Sequence, residues 1–299
     1  MRITNLMTSR SVLSDLNDVS TRLSETQERL SSGKQITKPS DDPYGTSRAL
    51  TFRGDIAGTQ QYQRNIGEAV AWSNVTDSAL STINDAVQRS RELTVQGATD
   101  SAGQAARNAA AEEIDQLIES VKEAANASYG GRYVFAGTAT TTKPYAVGGP
   151  DAYNGDAGTV AREIGPGVSV QINTLGSGIL GSGTGAADGK LLDTLRTISA
   201  DLRSGNTNGL QNADLKNLDT NLDTLSQLEA NVGATENRLS LASSRIQDLQ
   251  SSSTKLLSQT QDADFAQAAV DYSTQQASYN AALRASANIV QSSLLDFLK

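Results

Sequence analysis

No cysteine and no histidine occur among the 299 residues. Their absence excludes disulfides, thiol nucleophiles, Ser–His–Asp chemistry, structural zinc, and haem ligation through imidazole or thiolate. Carboxylates and lysines remain, but no constellation of them supports catalysis, so the sequence reads as neither an enzyme nor a cofactor protein. Aromatics are scarce, with one Trp, four Phe and eight Tyr. Ala, Leu, Ile and Val must then supply most of the buried surface, as they do in helical bundles. No window approaches the roughly 18 to 20 consecutive apolar residues of a membrane span, so no membrane insertion is expected. The opening MRITNLMTSRS holds no apolar run of signal-peptide length, which points to export, if any, without a cleaved signal. A net charge of −8 and the lack of a basic patch with interleaved aromatics argue against nucleic-acid binding.

Proline and glycine are short on both flanks and crowded in the middle. Fifteen of the 25 glycines and three of the five prolines lie between Tyr129 and Gly189. None of the prolines falls between Tyr44 and Lys143 or after Pro166, so long helices are permitted on either side. Apolar periodicity fills that space. Leu218, Asn221, Leu225, Leu228, Val232, Thr235, Leu239, Ala242, Ile246 and Leu249 step by three and four residues, a heptad seam. A second seam runs through Ile66, Ala69, Ser73, Thr76, Leu80, Ile83 and Val87, and a shorter one through Ala110, Ile114, Leu117, Val121 and Ala124. A helix from Pro43 to Gly97 would be roughly 80 Å long at ~1.5 Å per residue. It must lie beside another of similar length, and residues 206–260 are the candidate.

The start of that helix is signposted. Ser40-Asp41-Asp42-Pro43 offers Asp42 as a carboxylate N-cap and Pro43 at the first helical position. A catalytic carboxylate pair is the competing reading, but adjacent side chains point apart.

The chain ends form apolar stripes. Ile3, Leu6, Val12, Leu16, Val19, Leu23 and Leu30 lie on one face near the start, and Phe265, Ala269, Tyr272, Tyr279, Leu283, Ala287, Val290, Leu294 and Phe297 near the end. Residues 265–299 carry only Asp271, Arg284, Asp296 and Lys299 as charges. Burial of a large apolar side chain stabilises by about 1.5–3 kcal/mol, and one helix pair buries a single stripe of each partner. The stripes are therefore expected to pack on neighbouring subunits. An intramolecular two-helix hairpin capping the rod is the alternative.

The middle reads as short strands: Arg132–Ala136, then Thr159–Ile164 and Val168–Ile172 around a three-residue Gly165-Pro166-Gly167 loop. Gly181–Lys190 fails as a phosphate loop, since residue 184 is Thr and Leu191 follows Lys190. Glu112 and Glu113 are expected on a solvated helix face. The fold class is thus mainly α: an elongated antiparallel helical bundle or coiled-coil rod made of N- and C-terminal segments, with a small inserted β-rich lobe. Three parts are expected: terminal helices (1–40 with 262–299), a long helical rod (41–131 with 188–261) and a Gly-rich β lobe (132–187).

Ser32-Gly33-Lys34-Gln35-Ile36-Thr37-Lys38-Pro39-Ser40-Asp41-Asp42-Pro43 with Ala49-Leu50 resembles the N-terminal motif of the flagellin-like family. Gly131–Thr138, Tyr153-Asn154-Gly155-Asp156 and Asn173 resemble the same family's passage into its β lobe, and Ala285–Gln291 with Ser293–Leu298 its C-terminus. The Pro-Ser-Asp-Asp-Pro form is closer to members at the hook–filament junction than to filament flagellins, which usually show an Ala-rich stretch there. The resemblance implies a structural protein of the extracellular bacterial flagellum. It further implies a homo-oligomeric ring, contacts with hook-associated protein one and flagellin, and export by the flagellar type III machinery with an export chaperone. A filament flagellin with a small outer lobe and a secreted coiled-coil binding module remain as alternatives.

Overall fold

A computed structural model describes residues 5–183 and 188–297. The described residues are helical for the most part: α1 (Asn5–Ser32), α2 (Pro43–Gly97), α3 (Gln104–Ala125), α4 (Gly176–Leu180), α5 (Leu191–Ser204), α6 (Thr207–Gly209), α7 (Leu215–Gln261) and α8 (Phe265–Phe297). A π-helical turn, Leu210–Asp214, leads into α7. Strands β1 (Ser128–Tyr129) and β2 (Arg132–Tyr133) pair antiparallel, as do β3 (Ala161–Gly165) and β4 (Val168–Gln171). The chain divides into two compact units, Thr59–Asp248 and the two ends, Met1–Gly58 with Leu249–Lys299.

Thr59–Asp248 is an antiparallel bundle of α2, α3, α5 and α7. Cross-helix bonds give the directions: Asn84 donates to Glu229 (3.1 Å) and Arg91 pairs with Asp219 (2.8 Å), while Arg89 pairs with Glu113 (2.7 Å). The α2 seam is buried along its whole length from Ile66 to Val87. On α7 the buried apolar seam stops at Ile246, and Leu249, expected in the seam, is 43% exposed because the bundle core ends before it. On α3 the buried apolar residues are Ala110, Ala111, Ile114, Ile118, Val121 and Ala125, so of the expected seam only Leu117 and Ala124 sit half-buried at its edge. Asn221 is tolerated in the α7 seam because its amide donates to Thr194 Oγ1, Gly189 O and Asn217 O.

The lobe holds less strand than the sequence pattern suggests. Val134, Phe135 and Ala136 are buried but lie outside β2. The second hairpin closes in two residues rather than three, since Gly165 pairs with Val168. Pro166 fixes one φ of the turn and Gly167 takes φ +68°, a conformation that glycine adopts without a Cβ penalty. The extra residue is absorbed as a register shift between Glu163 and Gly165.

In the unit made by the chain ends, α2 begins at Pro43, and Asp42 Oδ1 accepts from the Tyr44 and Gly45 N–H groups (3.0 and 2.9 Å). The Asp41 carboxylate is engaged elsewhere, accepting from Thr37 and Lys38 backbone N–H. Those backbone bonds hold its pKa below the usual carboxylate range. The two adjacent aspartates thus serve two different backbone turns.

Candidate subunit-packing surface

Within the terminal unit, α1 and α8 pack on each other. Thr26 and Arg29, near the end of α1, share a cleft with Asp264, Gln267 and Asp271 at the start of α8, so the pair runs antiparallel. The stripe residues Val12, Leu16, Val19, Leu23 and Leu30 are each half-buried, none fully. On α8, Tyr279 is half-buried and Leu283 is 40% exposed. Other apolar side chains of the pair stand in water: Met7 is 64% exposed, Leu13 58%, Phe265 67% and Val270 60%. Ile3 and the side chains of Leu6, Val290, Leu294 and Phe297 lie outside the described residues.

Among the described side chains, buried apolar groups divide unevenly. In the terminal unit they are Ile36 and Ala49; every other one, from Ile66 to Ile246, lies in the unit Thr59–Asp248, in its bundle or its lobe. Two amphipathic helices facing each other can bury only a seam, and their remaining faces need other partners. The terminal pair has helical geometry without a closed core.

The bundle's polar chemistry is structural. Lys122, fully buried, lies 2.5 Å from Asp151 and 3.1 Å from Glu119, and donates to Gly149 O. Burial works to raise the Asp151 carboxyl, but hydrogen bonds from Arg196 and Lys122 overcome it and hold its pKa below the usual range. Arg196 and Arg203 extend the network to Asp115, Glu119 and Glu112. Glu112 and Glu113 reach solvent as expected, and they also pair with Arg203 and Arg89. Tyr145, buried in the lobe, donates to Gly181 O at 2.6 Å, and burial raises its phenol pKa. Sequence reasoning missed Lys122, whose only signal is a cation four residues after Ile118 on the apolar face.

Every carboxylate of this network is engaged by a cation or a backbone donor. Among the described residues, no group of three or more carboxylates is placed to hold a metal ion. No described helix is long and apolar enough to cross a membrane.

Residues 3–140 match the bacterial flagellin N-terminal helical region, and residues 215–298 match the bacterial flagellin C-terminal helical region. The chain is 34% identical over 112 residues to phase 1 flagellin of Salmonella naestved, a match covering 38% of this chain and 22% of that flagellin. It thus spans about a fifth of the length of the curated relatives it matches. A solved structure assigned to the flagellar hook-associated proteins of Vibrio parahaemolyticus shares the fold, with TM-score 0.67 and 20% identity over 74% of this chain and 100% of that one. Flagellar hook-associated protein-3 of Legionella pneumophila does so at TM-score 0.61 and 16% identity, over 70% and 98%. With both helical regions matched in order on either side of the glycine-rich middle, the chain belongs to the bacterial flagellin family of structural, non-enzymatic proteins.

Proposed function

We propose that the chain is a junction subunit of the bacterial flagellum, of the hook-associated protein three kind. In this reading copies close into a ring between hook-associated protein one and the first flagellin subunits, outside the cell, after export through the type III apparatus with its chaperone and without a cleaved signal. The terminal helices, residues 1–40 and 262–299, are the polymerising part. The segments 41–131 and 188–261 make the supporting rod, and 132–187 the lobe. Ile3, Leu6, Val12, Leu16, Val19, Leu23, Leu30, Tyr279, Leu283, Val290, Leu294 and Phe297 are the packing residues; Asp42 and Pro43 start the rod.

The observation that carries this reading is the terminal pair's deficit of buried side chains beside exposed Met7, Leu13, Phe265 and Val270. Such a surface is completed by association. Size also favours the junction: the solved hook-associated chains are covered almost end to end, the flagellins only over about a fifth of their length. The test is to label the protein on purified flagella. A narrow band at the distal end of the hook is expected. Label along the whole filament would instead establish the second reading, a filament subunit, which the 34% identity to flagellin favours. Removing residues 290–299 is expected to leave a soluble helical protein that no longer attaches filaments; retained motility would overturn the proposal.

A further inference from the structure

Two chain reversals separate the terminal helices from the rest of their unit: residues 33–42 between α1 and α2, and residues 262–264 between α7 and α8. Each alone is a short polar connection. Gly33 ends α1 at φ +66°, its N–H bonded to Arg29 O. Asp264 starts α8 by accepting from Ala266 and Gln267 N–H. Neither of these bonds links the two reversals.

Gln261 links them. As the last residue of α7, its carbonyl is among the four that a helix leaves without an internal partner. That oxygen accepts from Gln35 N–H at 2.7 Å and Ile36 N–H at 3.4 Å. Its side chain works in both directions: Oε1 accepts from the Arg53 guanidinium at 2.7 Å, and Nε2 donates to Ile36 O at 3.4 Å. Two residues on, Ala263 N–H donates to Gly33 O at 3.0 Å, and Lys34 and Asp262 form an antiparallel bridge. Gln261 is only 7% exposed and Ile36 8%. Ile36 is seated directly on α2, where a Cβ added at Gly45 would come within 2.6 Å of its Cδ1. A larger residue at position 45 would push Ile36 off its seat.

We propose that Gln261 is a latch that fastens the α1–α2 reversal to the α7–α8 reversal, so that both terminal helices hang from one joint rather than from two independent linkers. Its bonds reach residues more than 200 positions away in sequence, to Arg53 and Ile36, and tie the chain's two ends together at their roots. Opening the joint releases α1 and α8 together, and closing it sets both in one register. Arg53 is the latch's anchor on α2, and its charge makes that hydrogen bond the stronger of the two side-chain bonds. This inference concerns the joint alone and stands whether the subunit belongs to a junction or a filament.

The test is amide hydrogen exchange on the full chain, wild type against Gln261→Ala, which keeps a good helix former at the end of α7. Exchange at Gln35, Ile36 and Ala263 is expected to accelerate together, by about tenfold or more, while amides of the bundle segment Leu80–Val87 keep their rates. Gln261→Glu retains the acceptor for Arg53 and is expected to recover most of the protection. Arg53→Ala leaves residue 261 in place and is expected to accelerate the same three amides to a smaller extent. Unchanged exchange at all three positions in both alanine variants would overturn the latch. So would acceleration confined to one reversal, because the two would then be independent.

Discussion

The bundle Thr59–Asp248 and the paired chain ends are both made of long amphipathic helices, yet they differ in how those helices are covered. In the bundle each long helix has neighbours on more than one side, and the seam residues Leu80, Ile83, Ile114, Leu195 and Leu218 are almost wholly removed from water. At the ends, α1 and α8 have each other, and their best-placed side chains are half-buried. Helical propensity is therefore no guide to which part holds itself together. The number of faces a helix can cover is the guide, because most helical stability in proteins comes from tertiary packing.

The sharpest break in this comparison is expected from amide exchange on the dilute monomer. Amides of 12–30 should exchange at least about a thousandfold faster than those of 66–93, since local opening follows the buried contact each segment makes. Equal protection would erase the distinction between the two regions.

Next in size is the buried cation. Lys122→Ala removes the partner that Asp151 and Glu119 share inside the bundle. Breaking a buried pair in this way costs about 3–5 kcal/mol, to be read as a lower urea midpoint for the bundle transition. Leu80→Ala, which empties a fully buried site, should cost about 2–5 kcal/mol in the same measurement. Its counterpart Leu16→Ala, at a half-buried position on α1, should cost less than about 1 kcal/mol in the monomer.

Asp214 sharpens the comparison from the other side, because the bundle also holds a group it would be better without. The residue closes the π-helical turn with 2% exposure, and its Oδ2 has no hydrogen-bond partner. Burial, reinforced by Asp201, pushes its carboxyl up to about 6. An unfolded aspartate titrates near ~3.9. The neutral acid is thus favoured on folding: its contribution is fully present below pH ~4 and is lost as pH rises through about 6. Asp214→Asn should therefore raise thermal stability at pH 8 and leave it nearly unchanged at pH 3.5. A variant less stable at pH 8 would show that the charge is compensated within the bundle.

Much of this fold is legible in the residues. Punctuation by Pro43 and the proline-free stretch to Lys143 permit α2, and the seams name nearly all of the buried side chains of α7 and about half of those of α2. Those features are local: a three-four apolar period and a capped start act within a few turns of chain. The stripes on α1 and α8 are legible in the same way, but a stripe says only that a face wants cover. The hairpin loop is one residue shorter than its sequence pattern implies, because turn closure and the compensating register shift depend on both strands at once. Leu249 reads as a core position, although it is exposed, because periodicity continues past the point where neighbouring helices stop.

By itself the sequence determined the helical class, the exclusion of cysteine- and histidine-based chemistry, the position of the long helices, and the apolar character of both ends. Tertiary structure alone decided that Lys122 could be buried with Asp151, that one carboxylate oxygen of Asp214 would be left without a partner, and that Gln261 would reach Arg53 and Ile36. The first and last depend on groups far apart in the chain meeting at hydrogen-bonding distance, and the second on such a meeting failing to occur at a buried oxygen. Burial turns such meetings into strong effects by stripping the competing water away, and no local pattern of residues encodes which distant groups will meet.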